Sequence, residues 1–184
     1  MEHFTQQTRI TLRNLKVADF ASEETLCFTA TVVFDSESIA HADNSGRGGM
    51  TSLFPLEGKH TRLLEASEYA SSLPADTLGP ADGLKDPLTV GITLDYLVDT
   101  LAETMHNDRK DRSAFNRHMA GKLLFVKDGK LKYAKVKPKS IANLQSFFTK
   151  LRDKQGHSIV ILVELPREEA FALWKRYMAG DELI

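Results

Sequence analysis

Alternation organises the first third of the chain. In LCFTATVVF (26–34), Leu26, Phe28, Ala30, Val32 and Phe34 fall on one face of an extended strand, with Cys27, Thr29, Thr31 and Val33 on a more mixed one. Upstream, TRITLRNLKV (8–17) alternates at Ile10 and Leu12 and resumes at Leu15 and Val17 one residue out of phase. That slip predicts a strand with a bulge near Arg13-Asn14. DSES then turns the chain into a short strand, IAHAD (39–43), which runs directly into a glycine cluster.

Helical spacing takes over further on. HTRLLEASEYASS (60–72) predicts a short helix buried through Leu63, Leu64 and Tyr69, whereas residues 74–91 carry Pro74, Pro80 and Pro87 with Gly79, Gly83 and Gly91 and predict a loop. From Thr93, Leu94, Leu97, Val98, Leu101, Ala102 and Met105 recur at helical spacing, with Asp95, Asp99 and Glu103 on the wet face. This helix continues, or restarts, through DRSAFNRHMAG and stops at Gly121.

The clearest local signal is KLLFVKDGKLKYAKV, because Asp128-Gly129 between two apolar-containing runs suits a two-residue type I′ turn. In that register Leu124 and Val126 share a face with Leu131 and Tyr133, and Lys127 lies opposite Lys130. Ser140 is the expected N-cap of a helix over IANLQSFFTKLRDKQG, ended by Gly156. SIVILVEL reads as a buried strand, and Pro166 opens a last helix packed through Phe171, Trp174, Tyr177 and Met178. The order β-β-β-α-(loop)-α-β-β-α-β-α predicts an α+β fold, a mostly antiparallel sheet with about four helices packed on it.

At 184 residues the chain suits a single domain. Within it, charge suggests an acidic N-terminal subdomain (1–73), the loop 74–91 and a basic C-terminal subdomain (92–184). Residues 1–105 hold 7 Lys/Arg against 16 Asp/Glu, and residues 106–155 hold 14 against 4, so a net charge of −1 hides two opposite halves. Such asymmetry speaks of partners rather than of fold. The one cysteine, Cys27, has no partner for a disulfide, and the longest aliphatic run is IVILV at 159–163. Both features point to a soluble cytoplasmic protein without a membrane span.

Candidate chemistry gathers in two places. Asn44-Ser45-Gly46-Arg47-Gly48-Gly49 concentrates three of the eleven glycines around an arginine. Glycines let successive N–H groups converge on an anion that Arg47 would hold, but the run is neither G-x-G-x-x-G nor a P-loop. A tight turn leaving a β-ribbon and a partner-contact loop are the other readings. The second place is the basic ribbon, where Lys122, Lys127, Lys130, Lys132, Lys135, Lys137 and Lys139 interleave with Phe125 and Tyr133. Lysines there would neutralise phosphates while Tyr133 stacks on a base, meet an acidic protein, or simply blunt a sheet edge. Arg109, Lys110, Arg112 and Arg117 extend the basic stretch. His41 with Asp43, and His106 with Asp108, lack further ligands at metal spacing. No nucleophile elbow, zinc motif, kinase signature or deaminase signature is present, so no catalytic residue, metal or cofactor is assigned.

The segment FTATVVFDSESIAHADNSGRGG resembles the opening of uncharacterised small proteins of bacterial genomes and prophage-type mobile elements, in which a β-hairpin is followed by N-[DS]-G-x-G-G. The resemblance covers about residues 26–50. Ser45 stands where the commoner pattern has Asp, and the turn DSES lacks the usual glycine. What the resemblance implies is an accessory role on a mobile element. The expected function is therefore a non-enzymatic interaction protein that docks on a protein or nucleoprotein partner, such as an inhibitor or adaptor in phage–host conflict. Direct nucleic-acid binding through residues 122–139 is the alternative, and an enzyme or binder of a phosphorylated small molecule at residues 44–49 is the third class.

Overall fold

A computed structural model describes residues 7–78 and 88–178. Its chain forms two compact units, residues 1–106 and 107–184. The division falls at His106/Asn107, inside a helix, and the proline-rich segment belongs to the N-terminal unit. It also coincides with the change in sign of the charge along the sequence.

The N-terminal unit is built on a four-stranded antiparallel sheet of β1 (Ile10–Val17), β2 (Cys27–Phe34), β3 (Glu37–Ser45) and β4 (Ser52–Pro55), ordered as in sequence. The slip between Leu12 and Leu15 is a bulge: register shifts between Arg13 and Lys16, and Asn14 takes φ 54°. The β2–β3 turn is tighter than DSES suggested, because only Asp35 and Ser36 lie outside the ladder, at φ 49° and 69°. Two positive φ values without glycine are costly. Arg9 offsets them by gripping both Asp35 carboxylate oxygens at 2.7 Å. Arg62 of α1 (His60–Ser71) reaches the same carboxylate and Glu37, which ties the turn to the helix.

One face of this sheet carries the core. Ile10, Leu12, Phe28, Ala30, Val32, Phe34 and Ile39 pack with Ala66 and Ala70 of α1 and with Leu97, Val98 and Ala102 of α2 (Leu94–Gly121). Leu64, expected inside, is 53% exposed; the small Ala66 and Ala70 let α1 approach closely instead. The segment 74–91 is not wholly loop, since β5 (Asp76–Leu78) and β6 (Leu88–Val90) pair antiparallel; residues 79–87 lie outside the described residues. β4 also went unforeseen, because four residues with a proline are too short to show a period, and Pro55 is tolerated only because the strand is an edge.

In the C-terminal unit a three-stranded antiparallel sheet runs β8 (Lys130–Ala134), β7 (Leu123–Lys127), β9 (Val160–Ile161). Asp128 and Gly129 turn β7 into β8 at φ 53° and 69°, as a type I′ hairpin requires. Both faces of β7 are covered. Leu124, Val126 and Leu131 pack with Phe115 of α2 and with Phe171 and Trp174 of α4 (Arg167–Met178), while Leu123, Phe125 and Ile161 pack with Phe148 and Leu151 of α3 (Leu144–Gln155).

Two local expectations are corrected here. Asn143, not Ser140, caps α3, its Oδ1 accepting from Ser146 N at 3.0 Å; the Ser140 hydroxyl donates to Lys137 O at the end of a 3-10 turn. SIVILVEL gives only two strand residues before a 3-10 turn at Leu162–Glu164, because α4 must start within a few residues and the apolar run is shared between the two cores. The helix expected from Thr93 runs on unbroken for 28 residues and stops at Gly121, as the sequence indicated. Gly156 does follow α3 at φ 107°.

Candidate functional site

Asn44 and Ser45 are the last residues of β3, opposite Phe28 and Cys27, so the glycine segment begins inside the sheet. Asn44 is 3% exposed and makes four hydrogen bonds. Its Oδ1 accepts from Thr25 Oγ1 at 3.0 Å and from Gly46 N at 2.9 Å; its Nδ2 donates to Thr51 Oγ1 at 2.9 Å and to Gly49 O at 3.2 Å. One amide thus closes both ends of the loop. Thr51, also buried, donates a hydrogen bond from its hydroxyl to Asp99 of α2. Asp99 is therefore half-buried rather than on a wet face: burial raises its carboxyl pKa above the ordinary value, and the hydrogen bond from Thr51 opposes that rise.

Backbone groups of the loop are engaged in the same way. The amides of Glu23, Glu24 and Thr25 converge on Gly46 O at 2.9, 3.0 and 3.3 Å, a concave donor arrangement filled by the protein's own carbonyl. Gly46 sits at φ 82°, where a Cβ would overlap the Ala21 carbonyl oxygen and lie 2.8 Å from Cys27 Cβ. Gly48, at φ 79°, donates to Thr25 Oγ1. Among the glycine-loop amides, those of Gly46 and Gly48 are thus taken by protein oxygens. The geometry explains the glycines as requirements of a close approach. Arg47 is exposed and makes no ion pair or hydrogen bond among the described residues.

The basic ribbon is arranged differently. β8 is an edge strand, and the chain after it carries Lys135, Lys137 and Lys139 outward while Val136 packs into the core on the α3 side. None of Lys130, Lys132, Lys135, Lys137 and Lys139 meets a carboxylate among the described residues. Four acids of the same unit are engaged elsewhere: Asp108 and Glu168 by Arg112, Glu164 by Arg152, Asp111 by Lys175. Arg112 also stacks over Phe171 at 4.4 Å, so it belongs to the packing of α2 on α4 rather than to the ribbon. Lys127 reaches Gln155 of α3. Lys122 lies 4.1 Å over the Tyr133 ring, whose place beside the α4 core makes it a half-buried support rather than a free stacking platform.

Two open clefts flank these lysines. One, of about 420 Å³, runs between β8 and α3 over Phe125 and Phe147 with Lys150 and Lys154 along it. The other, of about 390 Å³, lies between the end of α2, the Pro138–Ser140 turn and the start of α4. Sequence reasoning missed both, because their walls come from segments far apart in the chain. In the N-terminal unit, the solvent face of the sheet forms a shallow trough of about 770 Å³ in which Thr31, His41 and Phe54 lie side by side next to Thr29 and Asp43. His41 and Asp43 share that face, but among the described residues no group of three His, Cys, Asp or Glu is placed to hold a metal.

No family model, curated protein or solved structure matches the chain. Its chemistry has to be read from its own surfaces. No helix of the described residues is long and apolar enough to cross a membrane.

Proposed function

We propose that this is a cytoplasmic, non-enzymatic interaction protein that docks on an anionic protein or nucleoprotein partner through the lysine-rich edge of its C-terminal unit. The observation that carries the reading is the row formed by the exposed Lys130, Lys135, Lys137 and Lys139 with the half-buried Lys132, none of which meets a carboxylate among the described residues. Exposed ammonium groups on one edge create a positive field that attracts a polyanion and sets on-rate and specificity. Lysines on an edge strand also deter sheet-to-sheet aggregation. That role needs one or two inward or edge charges, whereas here the row continues for five residues past the strand.

The glycine segment 44–49 supports the reading from the other side. The Asn44 side chain and the Gly46 and Gly48 amides are taken up in holding the N-terminal unit together, which leaves Arg47 as the segment's one outward cation and weakens the case for a phosphate-binding enzyme. An adaptor or inhibitor of a mobile element fits a small protein with one charged docking edge.

The test is capture of partners from bacterial lysate by the wild-type protein and by the triple variant Lys130→Glu, Lys132→Glu, Lys135→Glu, with and without nuclease. The reading expects a defined protein set that survives nuclease and is lost in the variant, with unchanged circular dichroism. Equal capture by both proteins removes the ribbon from the account. Material that disappears with nuclease shifts the function to direct nucleic-acid binding.

A further inference from the structure

The cleft between α2 and α4 has a composition that narrows the partner's chemistry. Its walls are Phe115 and Met119 of α2 with Leu162 and Leu165 of the segment before α4. Its rim carries Lys139 and Arg167, both exposed, and no acidic residue lines it among the described residues. Arg167 Nη2 donates to Asn116 Oδ1 at 2.6 Å, which holds the guanidinium at the mouth without neutralising it.

We propose that this cleft seats a large apolar side chain of an acidic peptide segment of the partner, with Lys139 and Arg167 holding carboxylates on either side of it. The inference rests on the docking function proposed for the ribbon and specifies what docks. A volume of about 390 Å³ is at the small end of ligand pockets and suits one or two large side chains. The floor of Phe115, Met119, Leu162 and Leu165 is apolar, so a nucleobase seated on it would find hydrogen-bond partners only at the rim, in Asn116, Lys139 and Arg167. An aliphatic or phenyl side chain asks for no such partner. Lys135, Lys137 and Lys139 alternate outward along one stretch, and at ~3.3 Å per residue the row and the cleft fall within reach of a peptide of about five residues. A free small molecule would fill the cleft but leave the lysine row unused. A peptide engages both, the apolar anchor providing the desolvated centre and the carboxylates the charged rim.

The experiment is fluorescence anisotropy with the full-length protein and three labelled probes: the peptide Glu-Glu-Leu-Phe-Glu-Glu, its counterpart Glu-Glu-Ser-Ser-Glu-Glu, and oligothymidylate. The Leu-Phe peptide is expected to bind at least tenfold more tightly than the Ser-Ser peptide. Ala120→Phe, which fills the cleft from an exposed position on α2, is expected to erase that difference. Lys139→Glu with Arg167→Glu, both at exposed sites, is expected to weaken the Leu-Phe peptide by a further measure at least as large and serves if Ala120→Phe does not fold. Equal affinity for the two peptides, or a preference untouched by both variants, overturns the cleft while leaving the ribbon standing. Binding of oligothymidylate alone overturns it in favour of nucleic acid, and failure of all three probes at low salt contradicts the ribbon as well.

Discussion

The glycine loop of the N-terminal unit and the lysine row of the C-terminal unit stand out equally in the sequence, yet their polar groups have opposite fates. At residues 44–49 the distinctive groups turn inward: Asn44 makes four hydrogen bonds, and three amides meet on Gly46 O. Along residues 130–139 the lysines lie at the surface, Lys132 half-buried among them, and meet no carboxylate among the described residues. An unusual composition therefore marks a structural device in one unit and an available surface in the other. What separates them is whether the donors are satisfied within the fold, since a buried donor without a partner costs far more than an exposed one.

The contrast breaks most sharply at Gly46. Gly46→Ala forces a Cβ against Ala21 and Cys27 at a positive φ, and urea unfolding should show a loss of about 3 kcal/mol or more. Asn44→Ala removes four bonds and leaves the buried Thr51 hydroxyl and Gly46 amide short of partners, with an expected loss of about 2–3 kcal/mol. The triple charge reversal at Lys130, Lys132 and Lys135 should do the reverse, changing stability by less than about 0.5 kcal/mol while lowering partner affinity at least tenfold.

A pH series sharpens the comparison further. His118 of α2 accepts the Trp174 indole N–H at 3.2 Å, and burial, followed by Lys122 and Arg117, holds its pKa below the ordinary histidine value. The unfolded chain then takes up the proton first. As pH falls through the ordinary histidine range toward the lowered value, the C-terminal unit loses the stability that neutral His118 contributes. Unfolding followed by Trp174, the chain's one tryptophan, should show this loss in the wild type and not in His118→Gln. Asp99 acts with the opposite sign in the N-terminal unit: its raised pKa means that the folded state takes the proton first, so its contribution is present at low pH and lost as pH rises through that value. The smallest effect belongs to Arg47→Ala, an exposed side chain without a bonded partner, for which a melting-temperature change near zero is expected; a large one would show that the loop relies on it.

Much of this architecture was legible in the chain, and the exceptions share a cause. The bulge at Arg13-Asn14, the Asp128-Gly129 hairpin and the Gly156 stop rest on local backbone chemistry, which the sequence writes directly. β4, the β5–β6 pair and the two-residue β9 are held by pairing with strands elsewhere, and segments this short carry no period of their own. The same division applies to the candidate sites. Charge along 122–139 is visible as composition, whereas its lack of carboxylate partners depends on where Arg112, Arg152 and Lys175 fold. The role of Asn44 was hidden for a related reason, since Thr25, Gly49, Thr51 and Asp99 meet only once β2, β3 and α2 are assembled.

The central claim, that the lysine row faces a partner rather than serving the fold, is tested most directly by measuring affinity for the acidic Leu-Phe peptide from low to physiological salt, in the wild type and in the triple lysine variant. The account expects saturable binding in the wild type that weakens as salt rises, and little or no binding in an equally stable variant. Affinity that is independent of salt and the same in both proteins would contradict it.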